Sequence, residues 1–220
     1  QLTGLTSITD QQAESLGKVE KLFLSGLTSI TDGQAASLSK SCGSLSLSGL
    51  TSITYNQAQS FSRLGTLTLD GLSLITDEQA ESLSKVKGAV YLNGLTSITD
   101  AQAESLSKVE RFLFLNGLTS ITDQQAESLS KIEEALSLNG LNAITNEQAE
   151  SLSNIKGNLH LSGLTSITDA QVESLSKVER FLRLNGLTSI TDEQAKILGK
   201  VKYLSTSQSC QPLIDKYKKQ

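Results

Sequence analysis

The chain has 220 residues, 37% of them hydrophobic and only 4% aromatic, with no Trp or Met, so a core must be filled by Leu, Ile, Val and Ala. Nineteen basic residues against 23 acidic ones give a net charge of -4. The two signs are interleaved, which excludes the basic stripe of a nucleic-acid-binding protein, so no nucleic-acid partner is expected. No apolar run approaches the ~20 residues that a membrane span requires.

One stretch organises the chain. Leu113-Phe114-Leu115-Asn116-Gly117-Leu118-Thr119-Ser120-Ile121-Thr122-Asp123, followed by Gln125 to Lys131, recurs in some version from end to end. Its Gly-Leu pair falls at Gly4, Gly26, Gly49, Gly71, Gly94, Gly117, Gly140, Gly163 and Gly186, in steps of 22 or 23 residues, which makes nine copies. A fixed period of this size predicts a stacked solenoid, each unit touching only its neighbours. Gly-Leu-Thr-Ser-Ile-Thr is verbatim in seven of the nine copies, and Asp100–Asp123 matches Asp169–Asp192 except at Ala103/Val172 and Phe114/Arg183. Such uniformity points to recent tandem duplication or a consensus-like origin. Gln1 opens the chain already inside a repeat and without an initiator Met, as expected of a processed product or a fragment.

In chain order within a unit, the apolar–variable–apolar–polar run Leu113 to Asn116 has the period-2 signal of a strand. The same inward pair appears as Leu22 and Leu24, Leu45 and Leu47, Leu67 and Leu69, Val90 and Leu92, and Leu136 and Leu138. A one-residue slip would expose every one of these side chains, so the register is specified. Gly117 is expected to let the chain bend away from the strand without a Cβ penalty. Leu118 and Ile121 then face inward, leaving Thr119 and Ser120 outside. Thr122 and Gln125 fit a capping box at a helix start. Asp123 in the first turn and Lys131 in the last complement the helix dipole. Ala126, Leu129 and Ile132, three residues apart, form its buried stripe.

Leu113-x-Leu115-x-x-Leu118, continued by Ile121-Thr122-Asp123, Ala126 and Leu129, resembles the leucine-rich repeat over residues 1 to about 205. It is similar to the cysteine-containing subclass of that family, with Leu118 where Cys usually stands and a repeat about three residues shorter. The resemblance implies an α/β fold: a right-handed solenoid with a parallel β-sheet on the concave face and short helices on the convex face. Such a frame holds many side chains at fixed spacing on a rigid sheet, which suits a non-catalytic module that binds a protein through the concave face.

Residues 1–205 are thus expected to form a solenoid of nine repeats and 206–220 a C-terminal cap or tail. In that tail Pro212 suits a first helical turn, and Leu213, Ile214 and Tyr217 could cover the last repeat. No matching cap is expected at the N-terminus, where an uncovered first strand is a route to an edge-to-edge homodimer. Cys42 and Cys210 lie some seven repeats apart, roughly 30 Å at ~4.8 Å per strand, too far to pair within one molecule.

Outward strand residues should line up in columns about 5 Å apart. The middle column reads Phe23, Ser46, Thr68, Tyr91, Phe114, Ser137, His160, Arg183; the one before it includes Phe112 and Phe181. Variation concentrates there while the framework repeats. Tyr91, Phe112, Phe114, His160, Phe181 and Arg183 are therefore the candidate partner-binding residues, since aromatics and Arg are enriched at interface hot spots. Drift at strand positions that suit aromatic rings is the competing reading. The following column (Asp70, Asn93, Asn116, Asn139) reads as hydrogen bonding down the stack. The Thr-Ser pairs such as Thr119-Ser120 form a second regular array, which as a binding surface would suit ice or another lattice. No catalytic site is expected. His160 is the one histidine, and Asp70 lies four strands from it, ~19 Å, against the ~3 Å a triad requires. One His and two separated Cys exclude the usual zinc sets, and no phosphate-cradling loop is present, so neither metal nor cofactor is expected.

Overall fold

The computed structural model describes residues 4–40 and 43–218. Nine short parallel strands form one sheet in strict chain order. They are β1 (Lys21–Phe23), β2 (Ser44–Ser46), β3 (Thr66–Thr68), β4 (Ala89–Tyr91), β5 (Phe112–Phe114), β6 (Ala135–Ser137), β7 (Asn158–His160), β8 (Phe181–Leu184) and β9 (Tyr203–Thr206). Each is preceded by a seven-residue helix: α1 (Asp10–Leu16), α2 (Asp32–Leu38), α3 (Tyr55–Phe61), α4 (Asp77–Leu83), α5 (Asp100–Leu106), α6 (Asp123–Leu129), α7 (Asn146–Leu152), α8 (Asp169–Leu175) and α9 (Asp192–Leu198). A tenth, α10 (Gln211–Lys218), follows β9. Sheet and helices form the two faces of an open solenoid, and each helix packs against the next. None of the described helices is long and apolar enough to cross a membrane.

The register follows the leucines. Leu22 sits opposite Leu45, Leu67 opposite Val90, and Leu113 opposite Leu136. In the central unit Leu113, Leu115, Leu118, Ala126 and Leu129 are fully buried, with Ile121 and Ile132 nearly so. Burying a Leu side chain contributes ~1.5–3 kcal/mol, so each interface between units rests on several such contributions.

The expected capping box forms in every helix from α1 to α9. Thr122 Oγ1 accepts from the Gln125 amide at 3.1 Å, and the Thr122 amide donates to Gln125 Oε1 at 3.0 Å. Both side chains also reach the preceding unit. Thr122 Oγ1 donates to Asp100 Oδ1, and the nearly buried Gln125 Nε2 donates to the Ile98 carbonyl at 2.9 Å. The Gln bond recurs at all eight junctions, from Gln34–Ile8 to Gln194–Ile167. The capping Gln thus stitches neighbouring repeats as well as closing its own helix.

Two local expectations are corrected. Lys131 lies beyond the helix, which ends at Leu129 with Ser130 as its cap, so no basic side chain occupies the last turn of α6. The 23-residue period leaves room for only two helical turns before the chain returns to the sheet. The glycine after each strand does not use its conformational freedom either, since no described glycine has positive φ. A Cβ on Gly117 would stand 2.5 Å from the Leu95 carbonyl oxygen, and closer still to that of Asn93. Glycine is there because the preceding repeat's backbone occupies the space a side chain would need.

At the C-terminal end, α10 packs on α9 and buries Ile214 and Cys210. Tyr217 and Lys216 both donate to Asp192 Oδ1, at 2.7 and 2.9 Å, which holds the Asp192 carboxyl below its ordinary range. The Cys210 thiol is free; Cys42 falls outside the described residues.

Candidate functional site

All six candidate residues face outward from the strands of one sheet, alternating with buried leucines such as Leu113 and Leu182. The middle column forms in the expected register: Tyr91 opposite Phe114, Phe114 opposite Ser137, Ser137 opposite His160, His160 opposite Arg183. Phe112 pairs with Ala135, and Phe181 with Tyr203.

The rings are less exposed than a free aromatic cluster would be. Tyr91, Phe112, Phe114, His160, Phe181 and Arg183 are each half-buried, because neighbours about 5 Å apart cover one another's faces. Tyr91 and Phe114 stack in parallel, with centroids 4.2 Å apart and planes 3° from coplanar. His160 meets Phe181 edge-on at 6.1 Å. Two guanidinium groups lie over rings: Arg111 over Phe112 at 5.3 Å and Arg183 over Phe181 at 5.4 Å. Between the two groups, β6 carries only Ala135 and Ser137 on this face, both buried. The rings therefore form two preorganised clusters, one on β4 and β5 and one on β7 and β8.

The third column is structural. Asp70, Asn93, Asn116 and Asn139 each accept, through Oδ1, the backbone N–H of the next residue along the column, at 2.8–3.1 Å. This ladder fixes the chain where it leaves the strand.

His160 is neutral near pH 7. Burial lowers its pKa from the ordinary 6.5, and the neighbouring Arg183 charge lowers it further. Arg183→Gln is expected to bring the midpoint part of the way back, as read by proton NMR of this single histidine. Because the folded state binds the proton more weakly than the unfolded chain, protonation opposes folding. The stability that neutral His160 allows is complete above about pH 6.5 and declines as pH falls from there towards the folded-state pKa. A urea midpoint that stays flat across this window in the wild type but not in His160→Gln would contradict the assignment.

Among the described residues, no three His, Cys, Asp or Glu side chains converge to hold a metal ion. The Thr-Ser pairs are exposed, as at Thr119 and Ser120, but nothing beyond their regular spacing connects them to a ligand.

Similarity to solved structures decides the frame. An internalin from Listeria monocytogenes, a leucine-rich-repeat protein, matches 94% of this chain and 73% of its own with a TM-score of 0.51 at 14% identity. The chain folds as a leucine-rich-repeat solenoid. At that identity the likeness is one of fold. The sequence matches no protein-family model and no curated protein. In the leucine-rich-repeat frame the six candidate residues lie on the sheet face, opposite the helices.

The sequence missed two features of this site, the Tyr91–Phe114 stack and the guanidinium positions, and one of the frame behind it, the Gln stitches. A signal existed for the last, since Gln stands at the same place in all nine units, from Gln12 to Gln194.

Proposed function

We propose that this solenoid is a non-catalytic module that binds a protein partner through its concave sheet face, centred on Tyr91, Phe112, Phe114, His160, Phe181 and Arg183. The observation that carries this reading is the pair of aromatic clusters. Half-exposed rings and an arginine occupy the variable columns of an otherwise repeated surface, and they are held by stacking before any partner arrives. Side chains already ordered lose little entropy on binding, which favours affinity. Half-exposed aromatic clusters are also a surface that a partner would gain by covering.

The test uses a partner captured by crosslinking and its binding to purified chain. Phe114→Ala with Phe181→Ala is expected to weaken binding at least ~30-fold, the scale of removing a hot spot worth about 2 kcal/mol. Thr119→Ala with Ser120→Ala, in the turn beyond the strand, should leave it unchanged. A partner held equally well by the Phe double variant, in a chain that still unfolds cooperatively, would overturn the reading.

A further inference from the structure

We propose that Arg183 receives the carboxylate of an acidic side chain of the protein partner, through a fork made by its two terminal nitrogens. The assignment rests on the concave-face reading above and names the partner's chemistry at one point. Arg183 Nε is shielded from solvent and has no hydrogen-bond acceptor. A partner's carboxylate cannot reach an atom so enclosed, so the terminal nitrogens, which make no hydrogen bond among the described residues, are the donors left for it. Among the described residues Arg183 makes no ion pair, whereas Arg180 pairs with Glu134 at 3.3 Å. Its neighbours along the column, His160 and Ser205, supply no negative charge. The guanidinium is nonetheless restrained, because its central carbon lies over the Phe181 ring at 5.4 Å.

The repeat provides an internal comparison. In the near-identical unit ending at Asp123 this position is Phe114, so Arg183 sets one positive charge in a column with no other charged residue. A planar guanidinium offers paired donors that match the two oxygens of a carboxylate. One cation beside a neutral imidazole suits a singly charged acceptor better than a phosphate dianion, which would draw on more than one cation. The chemistry therefore points to Asp or Glu on the partner.

The chain holds four arginines (Arg63, Arg111, Arg180 and Arg183) and one histidine, so side-chain NMR resolves the site with built-in controls. The probes are N-acetylaspartate amide, N-acetylasparagine amide and inorganic phosphate, each titrated into nitrogen-15-labelled protein at pH 7.5. The aspartate probe is expected to shift the Arg183 Nε–H saturably, at least fivefold more than the other three arginines. It should also raise the His160 titration midpoint, because a bound anion offsets the Arg183 charge. In Arg183→Gln and Arg183→Lys the aspartate probe should no longer move the His160 midpoint, the lysine because it keeps the charge without the fork. Equal shifts at all four arginines, an equal response to the asparagine probe, or a preference for phosphate would each overturn the assignment. If the partner is lost on Phe114→Ala while no carboxylate response exists, the concave-face reading stands and this site falls. If Arg183 takes the carboxylate while the partner ignores Phe114 and Phe181, the concave-face reading is the one that fails.

Discussion

Gly117→Ala is expected to destabilise the solenoid by about 3 kcal/mol, the upper end of the range for overpacking a filled interior. For a chain of this size that corresponds to a loss of roughly 6–12 °C in Tm. The added methyl would meet the carbonyl oxygens of Asn93 and Leu95 on the preceding repeat. Both belong to backbone held by ladder bonds, including Asn93 Oδ1 receiving the Asn116 amide at 3.1 Å, so neither yields without opening the junction between units. The matched control is Gly33→Ala within α2, where the nearest atom to a new Cβ is Thr31 Oγ1 at 3.8 Å. There the methyl has space and the backbone is already helical, so the change should stabilise by about 0.5–1 kcal/mol. Urea unfolding followed by circular dichroism reads both. Opposite signs for one chemical change would establish that the glycine after the strand is selected by inter-repeat distance. A harmless Gly117→Ala would refute it.

The contrast explains what was legible in the sequence. Periodicity exposes whatever depends on residues within one unit: which leucines point inward, where Thr122 caps a helix, which columns face out. It also fixes the register, because Leu113 and Leu136 can bury themselves together in only one alignment. Quantities set by the gap between units stay hidden. Gly117 reads equally well as a flexible bend or a close approach, and only the position of the Leu95 carbonyl distinguishes them. The exposure of the aromatic columns is hidden in the same way. Phe23, beside Ser46 at the edge of the sheet, is 44% exposed, while Phe114, stacked on Tyr91, is half-buried. The direction of each ring follows from strand alternation; its cover depends on what the neighbouring repeat carries. Arg183 shows this most clearly. Its outward position is legible, but its unpartnered Nε depends on the absence of an acid on β7 and β9.

Gln125→Glu should destabilise the chain by about 3 kcal/mol at neutral pH, since a buried acceptor left unsatisfied costs ~1–3 kcal/mol and a charge beside it adds more. The substitution preserves shape and leaves one oxygen to accept the Thr122 amide. It removes the donor to the Ile98 carbonyl and sets a carboxylate oxygen against that carbonyl in a site only 6% exposed. The acid will resist ionising there, so its folded-state pKa rises above the ordinary ~4.3 of glutamate. The penalty is therefore complete above that raised pKa and shrinks as pH falls through it, when the protonated carboxyl can again donate to Ile98. The same replacement at Gln12 supplies the control. Gln12 is exposed in the first unit, its Oε1 accepts the Thr9 amide at 2.8 Å, and no preceding carbonyl receives its Nε2 among the described residues. Gln12→Glu should thus fall within ~0.5 kcal/mol of the wild type, as surface changes do. Urea midpoints at pH 7.5 and pH 5 separate the two ideas. A loss confined to Gln125→Glu, and partly relieved at the lower pH, means that the glutamines hold the repeats to one another. An equal loss at both positions would mean that they only cap their own helices.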